Sequence, residues 1–419
     1  MVCLVGWTVR MRVKELGAAR PTRGALAVAL LALAGGASPA EALPRLELGV
    51  DFKAALVGSF WYTEQLVEYL LEWAIGSLGS RGKEGEAQRH PGGDEGKGRL
   101  AHYDEAADKD IYGDEPALCQ HLVDEVNADE SLAWTAAMSP YFEGVSMGDM
   151  WFMQGAILEV PEDHWSRSPE GKVPVVDHAD LDMDIPDEFD SRDRWGPWVH
   201  EIRNQAMCGS CWAFSASEVL SDRFAIASKG KIDLVLSPED MVSCDKGDYG
   251  CRGGILPDAW EFLKNYGIVT DGCFPYTAGQ NGVAAKCIDN DEQCEDGEDF
   301  VKYKAANYYQ LPTVEAIQKD ILLHGPVQAG FKVYKDFIHY SSGVYHKDFW
   351  RVFASGGHAV KIVGWGVDAE SGHEYWTVAN SWTNQWGEDG FFRIRRGNNE
   401  VGIESSVFAG LPDLSGHIH

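Results

Sequence analysis

The chain has 419 residues, 45% hydrophobic and 11% aromatic, which allows two domains of ordinary size with a well-packed core and excludes a small disulfide knot. Its formal charge of −29 has the sign of nucleic acid and of anionic membrane, so neither is expected as a partner. The few basic residues are uneven: Arg10, Arg12, Lys14, Arg20 and Arg23 precede an apolar run over 25–36, followed by Ala40-Glu41-Ala42. This is the layout of a secretory signal peptide over 1–42, with Met11 as an alternative start. An apolar run of about 12 residues is too short for a bilayer, which takes roughly 20, so no membrane span is expected in the mature form.

Residues 43–115 read as an N-terminal extension. Leu56, Phe60, Trp61, Val67, Leu70 and Leu71 recur at helical spacing within 51–75, and the interleaved Glu64, Glu68 and Glu72 make this a surface helix. Near 76–98, Gly, Glu, Lys and Arg displace almost every apolar residue, and such a stretch cannot bury enough surface to fold, so it reads as a disordered linker. A second folded stretch runs from 116 to about 158, followed by a proline-punctuated acidic segment over 161–186 that reads as extended and cleavable. Its carboxylates protonate as pH falls, so acid is expected to release it, with processing near Asp184.

From 185 onward aromatic and turn residues become denser. Trp212, Ala216, Val219, Leu220 and Phe224 predict a core helix opened by Cys211, and Ser237-Pro238-Glu239-Asp240 predicts a capped helix start. Two more helices are predicted over 257–266, ended by Gly267, and over 313–323, ended by Gly325-Pro326. Residues 358–365, 374–379 and 390–395 are short apolar or alternating runs between glycines and read as strands. A helical first half and a strand-rich second half predict an α+β fold of two lobes with a cleft between them.

Cys208, Cys211, Cys244, Cys251, Cys273, Cys287 and Cys294 are seven cysteines, an odd number. If Cys211 stays free, six remain for three disulfides, as export implies, with fifteen pairings open. Cys208-Gly209-Ser210-Cys211 is also a Cys-x-x-Cys, but no second one follows and no thioredoxin-like unit precedes it, so neither a metal nor a cofactor is expected. A thiol attacks a carbonyl as thiolate, which calls for a helix N-terminus or an imidazole beside it and a donor for the oxyanion. Gly356-Gly357-His358 opens a predicted strand 147 residues after Cys211, inside the interval of about 130–150 typical of one cysteine-nucleophile class. Asn380 could accept from that imidazole and Trp382 could shield the bond; its offset of 169 residues implies an insertion between the lobes. Gln205 supplies a side-chain oxyanion donor beside the Cys211 amide.

Residues 185–411 resemble the papain family of cysteine peptidases, and within it the cathepsin B branch. The likeness is carried by Ile185-Pro186-Asp187-Glu188-Phe189-Asp190, Asn204-Gln205 through Cys211-Trp212, Gly250-Cys251-Arg252-Gly253-Gly254, Gly325-Pro326-Val327, Gly356-Gly357-His358, Asn380-Ser381-Trp382 and Gly402-Ile403-Glu404-Ser405. Residues 122–150, with Val126, Asn127 and Trp134, are similar to the short cathepsin B propeptide. The resemblance implies a papain-like two-lobe fold, a helical left lobe and a β-barrel-like right lobe, with 116–184 as propeptide and linker and 185–419 as peptidase domain. It implies Cys211 as nucleophile, His358 as acid and base, Asn380 as orienter and Gln205 as oxyanion donor. The implied disulfides are Cys208 to Cys251, Cys244 to Cys287 and Cys273 to Cys294, and Gly253 and Gly254 would line the cleft. Expected partners are protein or peptide substrates, the chain's own propeptide as inhibitor and cystatin-like inhibitors, in the secretory pathway and a lysosome, vacuole or the cell exterior.

Two departures bear on specificity. Cathepsin B carries a long occluding loop with paired histidines that bind a substrate's C-terminal carboxylate; here the interval from Cys273 to Cys294 is short, lacks histidine and ends acidic at Asp289, Asp291 and Glu292. An endopeptidase with an open primed side is expected. The alternatives are a dipeptidyl carboxypeptidase of the cathepsin B type and a non-catalytic secreted peptide-binding homologue. The glutamate that admits arginine at the second substrate position falls at Ser406, and Leu256, Gly330, Gly357 and Ala359 are apolar or small, so a hydrophobic second residue (P2) is expected; Trp382 and Trp386 complete the proposed substrate wall.

Overall fold

The computed structural model describes residues 115–160, 164, 172–288, 294–347 and 354–415. The signal over 1–42, the helix within 51–75, the linker near 76–98 and Asp289, Asp291 and Glu292 lie outside the described residues. In chain order the N-terminal segment contributes α1 Gln120–Ala128, β1 Trp134–Ala136 and α2 Met147–Phe152, the last with a Ser146/Asp149 capping box. The side chain of Asn127 ties α1 to β1, donating to the Ala136 carbonyl and accepting from its N–H, both at 2.9 Å.

β2 Phe189–Asp190 and α3 Ser191–Trp195 lead into α4 Cys211–Ser228, which is buried on almost every face. α5 Pro238–Cys244 starts as its sequence predicts: the Ser237 hydroxyl accepts from Asp240 N–H at 3.1 Å with Pro238 in the first turn. α6 Leu256–Asn265, β3 Tyr309–Gln310 and α7 Val314–His324 follow, α7 capped by Thr313. The strands β4 Val327–Tyr334, β5 Tyr340–Tyr345, β6 Ala354–Val367, β7 Glu374–Ala379, β8 Phe391–Arg395 and β9 Ser406–Ala409 complete the chain.

The sheet order is β1-β5-β8-β7-β6-β4-β9-β3, with β2 on β6. Among the described residues this is an open, mixed α+β sheet with free ends at β1 and β3, and not a closed barrel; β5 and β8 form its parallel pair. β4 escapes prediction because its first five residues are buried on both faces, which erases the alternation that marks a half-exposed strand. Registers Gly330 to Ala359 and Gly330 to Ser406 set these three residues in one row across β6, β4 and β9.

Among the described residues two large hydrophobic cores result, with a small third cluster around Val269, Cys273, Phe274 and Cys294. One packs the sheet with α7 and the N-terminal segment, around Phe331, Phe337, Trp382 and Trp386. The other packs α4, α5 and α6 around Trp212, Leu220, Phe224 and Trp260. α4 binds the two through buried charge: Asp222 accepts from Lys361 Nζ of β6 at 2.8 Å, and Arg223 donates to the carbonyls of Gly325, Pro326 and Gly410, to Tyr309 and to Asp320. The Arg223 side chain is fully buried, so Arg223→Met should cost about 3–5 kcal/mol by taking the guanidinium from Asp320 and from three buried carbonyls. Urea unfolding of the two proteins, with the slope unchanged, measures that loss.

Candidate active site

Cys211 is the first residue of α4, where the free N–H groups of the helix end favour a sulfur anion. It is a free cysteine, and the structure joins Cys208 to Cys251, Cys244 to Cys287 and Cys273 to Cys294. Three backbone N–H groups from other residues bear on its sulfur, those of Ala359, Gly155 and Trp212. β6 thus brings the neighbour of His358 onto the thiol. His358 Nε2 donates to Asn380 Oδ1 at 2.7 Å, which leaves Nδ1 as the ring's acceptor, buried with no hydrogen-bond partner. Trp382 stacks on the ring at 4.7 Å between centroids and 27° between planes.

Gln205 donates from Nε2 to the carbonyls of Met153 at 2.7 Å and Cys208 at 2.8 Å, and its Oε1 accepts from the Ser381 hydroxyl at 2.6 Å. Ser381 thereby fixes which way the carboxamide points, a role that no spacing in the sequence announces although the residue sits between Asn380 and Trp382. Tyr276 is a second such residue: its hydroxyl bonds Ser210 and the Gln205 carbonyl, both at 2.7 Å.

The N-terminal segment crosses this site. Gly254 N–H donates to the Gly155 carbonyl at 2.8 Å, Ala156 N–H to Gly357 at 3.0 Å and Ile157 N–H to Gly254 at 2.9 Å, all in parallel register. The approach is close enough that a Cβ on Gly155 would stand 1.8 Å from the Gly209 carbonyl oxygen, and one on Gly254 2.4 Å from the Trp212 ring. Leu158 then places its side chain between Gly330, Leu256 and Ser406: its Cδ2 is 2.6 Å from where a Gly330 Cβ would be. The space beside it is a cavity of ≈ 400 Å³ whose wall includes Pro257, Gln310 and Phe408, which the sequence did not single out. A Cβ on Gly253 would stand 2.7 Å from the Gly155 carbonyl oxygen. Trp386 does not reach the groove; it is a core residue whose indole donates to the Ile338 carbonyl and stands edge-on to Trp382.

Covered in this way, both groups are held toward their neutral forms. Burial pushes the Cys211 thiol up to about 11 and the His358 imidazole down to about 4, against the backbone donors and the Asn380 bond that oppose it. Among the described residues, ion pairs between the segment and the rest are Glu159 to Lys332 at 3.0 Å, His164 to Asp258 at 2.8 Å and His178 to Asp320 at 2.9 Å. Among the described residues no group of three or more His, Cys, Asp and Glu is arranged to hold a metal ion, and no helix is long and apolar enough to cross a membrane.

Comparison with known proteins places this geometry. The profile of the papain family cysteine proteases matches residues 185–411. Cathepsin B-like cysteine proteinase 6 of Caenorhabditis elegans is 40% identical over 325 residues, spanning 70% of this chain and 83% of the relative. Cathepsin B-like CP3 of Giardia intestinalis is 40% identical over 301 residues, 71% of this chain and 95% of the relative. Among solved structures, proCathepsin B S9 from Trypanosoma congolense superposes with a TM-score of 0.63 at 33% identity, covering 71% of this chain and 99% of that one.

The neutral state predicts a labelling profile. With the segment in place, Cys211 should react slowly with iodoacetamide through neutral pH and accelerate only as the pH approaches about 11. Once the segment is removed, labelling at pH 6 should be faster by at least about 100-fold, read by mass spectrometry of the Cys211 peptide.

Proposed function

We propose, from the premise that this chain belongs to the papain family of cysteine proteases and to its cathepsin B-like branch, that it is an endopeptidase made as a self-inhibited precursor. The observation that carries the reading is a peptide backbone, residues 153–158, lying in a groove with an N–H against the sulfur of a free cysteine at a helix N-terminus. In this reading 116–184 is propeptide and linker, 185–419 the peptidase domain, and the exported protein works in the secretory pathway, a lysosome-like compartment or outside the cell.

The chemistry assigned to the site follows from its atoms. With the groove open to water and substrate, the thiol proton passes to His358 Nδ1, whose position is held by the Nε2 bond to Asn380. The Cys211 sulfur bonds to the scissile carbonyl carbon, and the charge that moves onto oxygen meets the Cys211 N–H and the Gln205 carboxamide. The imidazolium then protonates the amine as the C–N bond breaks, leaving a thioester that water hydrolyses with His358 taking the water's proton.

The same geometry supports inhibition by direction. A substrate's P2 residue lies on the N-terminal side of the bond attacked, yet here the residue filling the pocket, Leu158, comes after Gly155 at the sulfur. The segment therefore runs opposite to a substrate that puts P2 in that pocket, and Gln205 is engaged by the Met153 carbonyl instead of a scissile one. Leu158 among Leu256, Gly330 and Ser406 also supports a hydrophobic P2 preference. The short, histidine-free interval from Cys273 to Cys294 supports cleavage within chains over release of dipeptides.

End-blocked peptides with Leu or Phe at P2 should be cut internally and faster than their Arg counterparts; dominant dipeptide release from free C-termini, or preference for Arg, would sink this part. Gln205→Ala should lower kcat by about 10²–10³ with little change in KM, measured on such a substrate. Leu158→Glu should weaken inhibition by the isolated segment at least about tenfold, because it sets a charge in an apolar pocket.

A further inference from the structure

Gly253 and Gly254, which meet the peptide in the groove, sit on a turn between α5 and α6 that one side chain closes: Asp248 Oδ1 accepts from Ile255 N–H at 2.7 Å, spanning residues 249–254. The outer face of that turn is fixed by Trp212 Nε1 on the Gly250 carbonyl at 3.1 Å and by Gly209 N–H on Cys251 at 2.9 Å. Asp245, just after α5, accepts from Gly247 N–H through Oδ1 at 2.8 Å. Both aspartates are buried on one short turn, with 8% of their surface exposed, and each carboxyl acts on the other. The Oδ2 atom of each is buried with no N–H or hydroxyl donor.

Two buried carboxylate oxygens cannot face each other without a hydrogen between them, because neither can donate and their charges repel. The strongest charges acting on the pair are their own and that of Asp258 on α6, whose partner is His164 of the N-terminal segment at 2.8 and 3.0 Å. Lys246, on the same turn, gives its ammonium to the Ser243 carbonyl at 3.0 Å. The cluster is therefore short of positive charge, and a proton is the means left to balance it.

We propose that Asp245 and Asp248 hold one proton between them, and that this proton keeps the Gly253–Gly254 wall in the position that pairs with a peptide backbone. The two carboxyls are positioning residues for substrate binding, a role that rests on the reading of the Cys211 groove as a peptidase site. The hydroxyl of protonated Asp248 donates to Asp245 Oδ2 while its carbonyl oxygen keeps the Ile255 N–H. Burial supports that direction: it pushes the Asp245 carboxyl up to about 6 and Asp248 well above the usual carboxylate range. A group whose folded pKa is raised keeps its proton below that value and loses it above, so the clasp is closed in acid and opens as the pH rises.

The mature protein and its Asp248→Asn and Asp248→Ala variants decide the matter. Asparagine donates at every pH, so between pH 6 and pH 9 the KM of the parent should rise on the order of tenfold while D248N stays flat; D248A should show the raised KM throughout, with kcat at pH 6 within about twofold in all three. A parent KM that is constant to pH 9, or a D248N curve that tracks it, overturns the proposal. Exchange of the Ile255 amide gives a readout that does not depend on catalysis. Its protection, corrected for intrinsic base catalysis, should fall toward pH 9 in the parent and persist in D248N, and equal loss in both refutes the clasp whatever the peptide assays show. Absent cleavage with this exchange pattern intact would count against the peptidase reading and leave the clasp standing.

Discussion

The site depends on a helix and a strand from two separate cores meeting at one end. Cys211 starts α4, packed in the helical core, while His358 and Ala359 belong to β6 in the sheet, and the Ala359 N–H bears on the Cys211 sulfur. Three residues after His358 along β6, Lys361 reaches Asp222 at 2.8 Å and Glu218 at 3.7 Å, about three and two turns into the same helix. Strand and helix are thus fastened both at the reactive end and behind it. Removing one member of such a buried charged group leaves the others without compensation, which is why the arrangement resists sliding even where it adds little net stability. Arg223 extends the same fastening to the turn before β4 and to the chain's last strand.

That rigid frame lets a flexible ligand be replaced by the chain itself. Residues 153–158 use the hydrogen-bonding groups that a peptide would use and supply a leucine for the pocket, yet in the opposite direction. Because the segment excludes water as well as substrate, it also changes the protonation of the groups beneath it. A neutral thiol beside a neutral imidazole is the expected pair in a dry enclosure, and a thiolate beside an imidazolium the expected pair in a wet one.

Local patterns made much of this legible. The helices at Cys211, Ser237, Leu256 and Thr313 carry their caps, breaks and apolar spacing in a few adjacent residues, and the strands around His358, Glu374 and Phe391 carry alternation between glycines. What stayed hidden depends on partners far away in the chain. β4 is buried on both faces, so it shows no period; Ser381 acts on Gln205 across 176 residues; and Leu158 is one apolar residue among several until the fold sets it against Gly330. Trp386 carries the same signal as Trp382 in sequence, and only packing separates a shield over the imidazole from a core ring behind it. The acidic segment after Pro161 reads as a release switch by composition, while composition does not show that His164 meets Asp258 and His178 meets Asp320.

The N-terminal segment also lends the sheet its outermost strand. β1 lies against β5, with Trp134 opposite Gly343. A cut that carries β1 away turns β5 into an open border of unpaired amides and carbonyls, the kind of seam along which sheets from two molecules zip together.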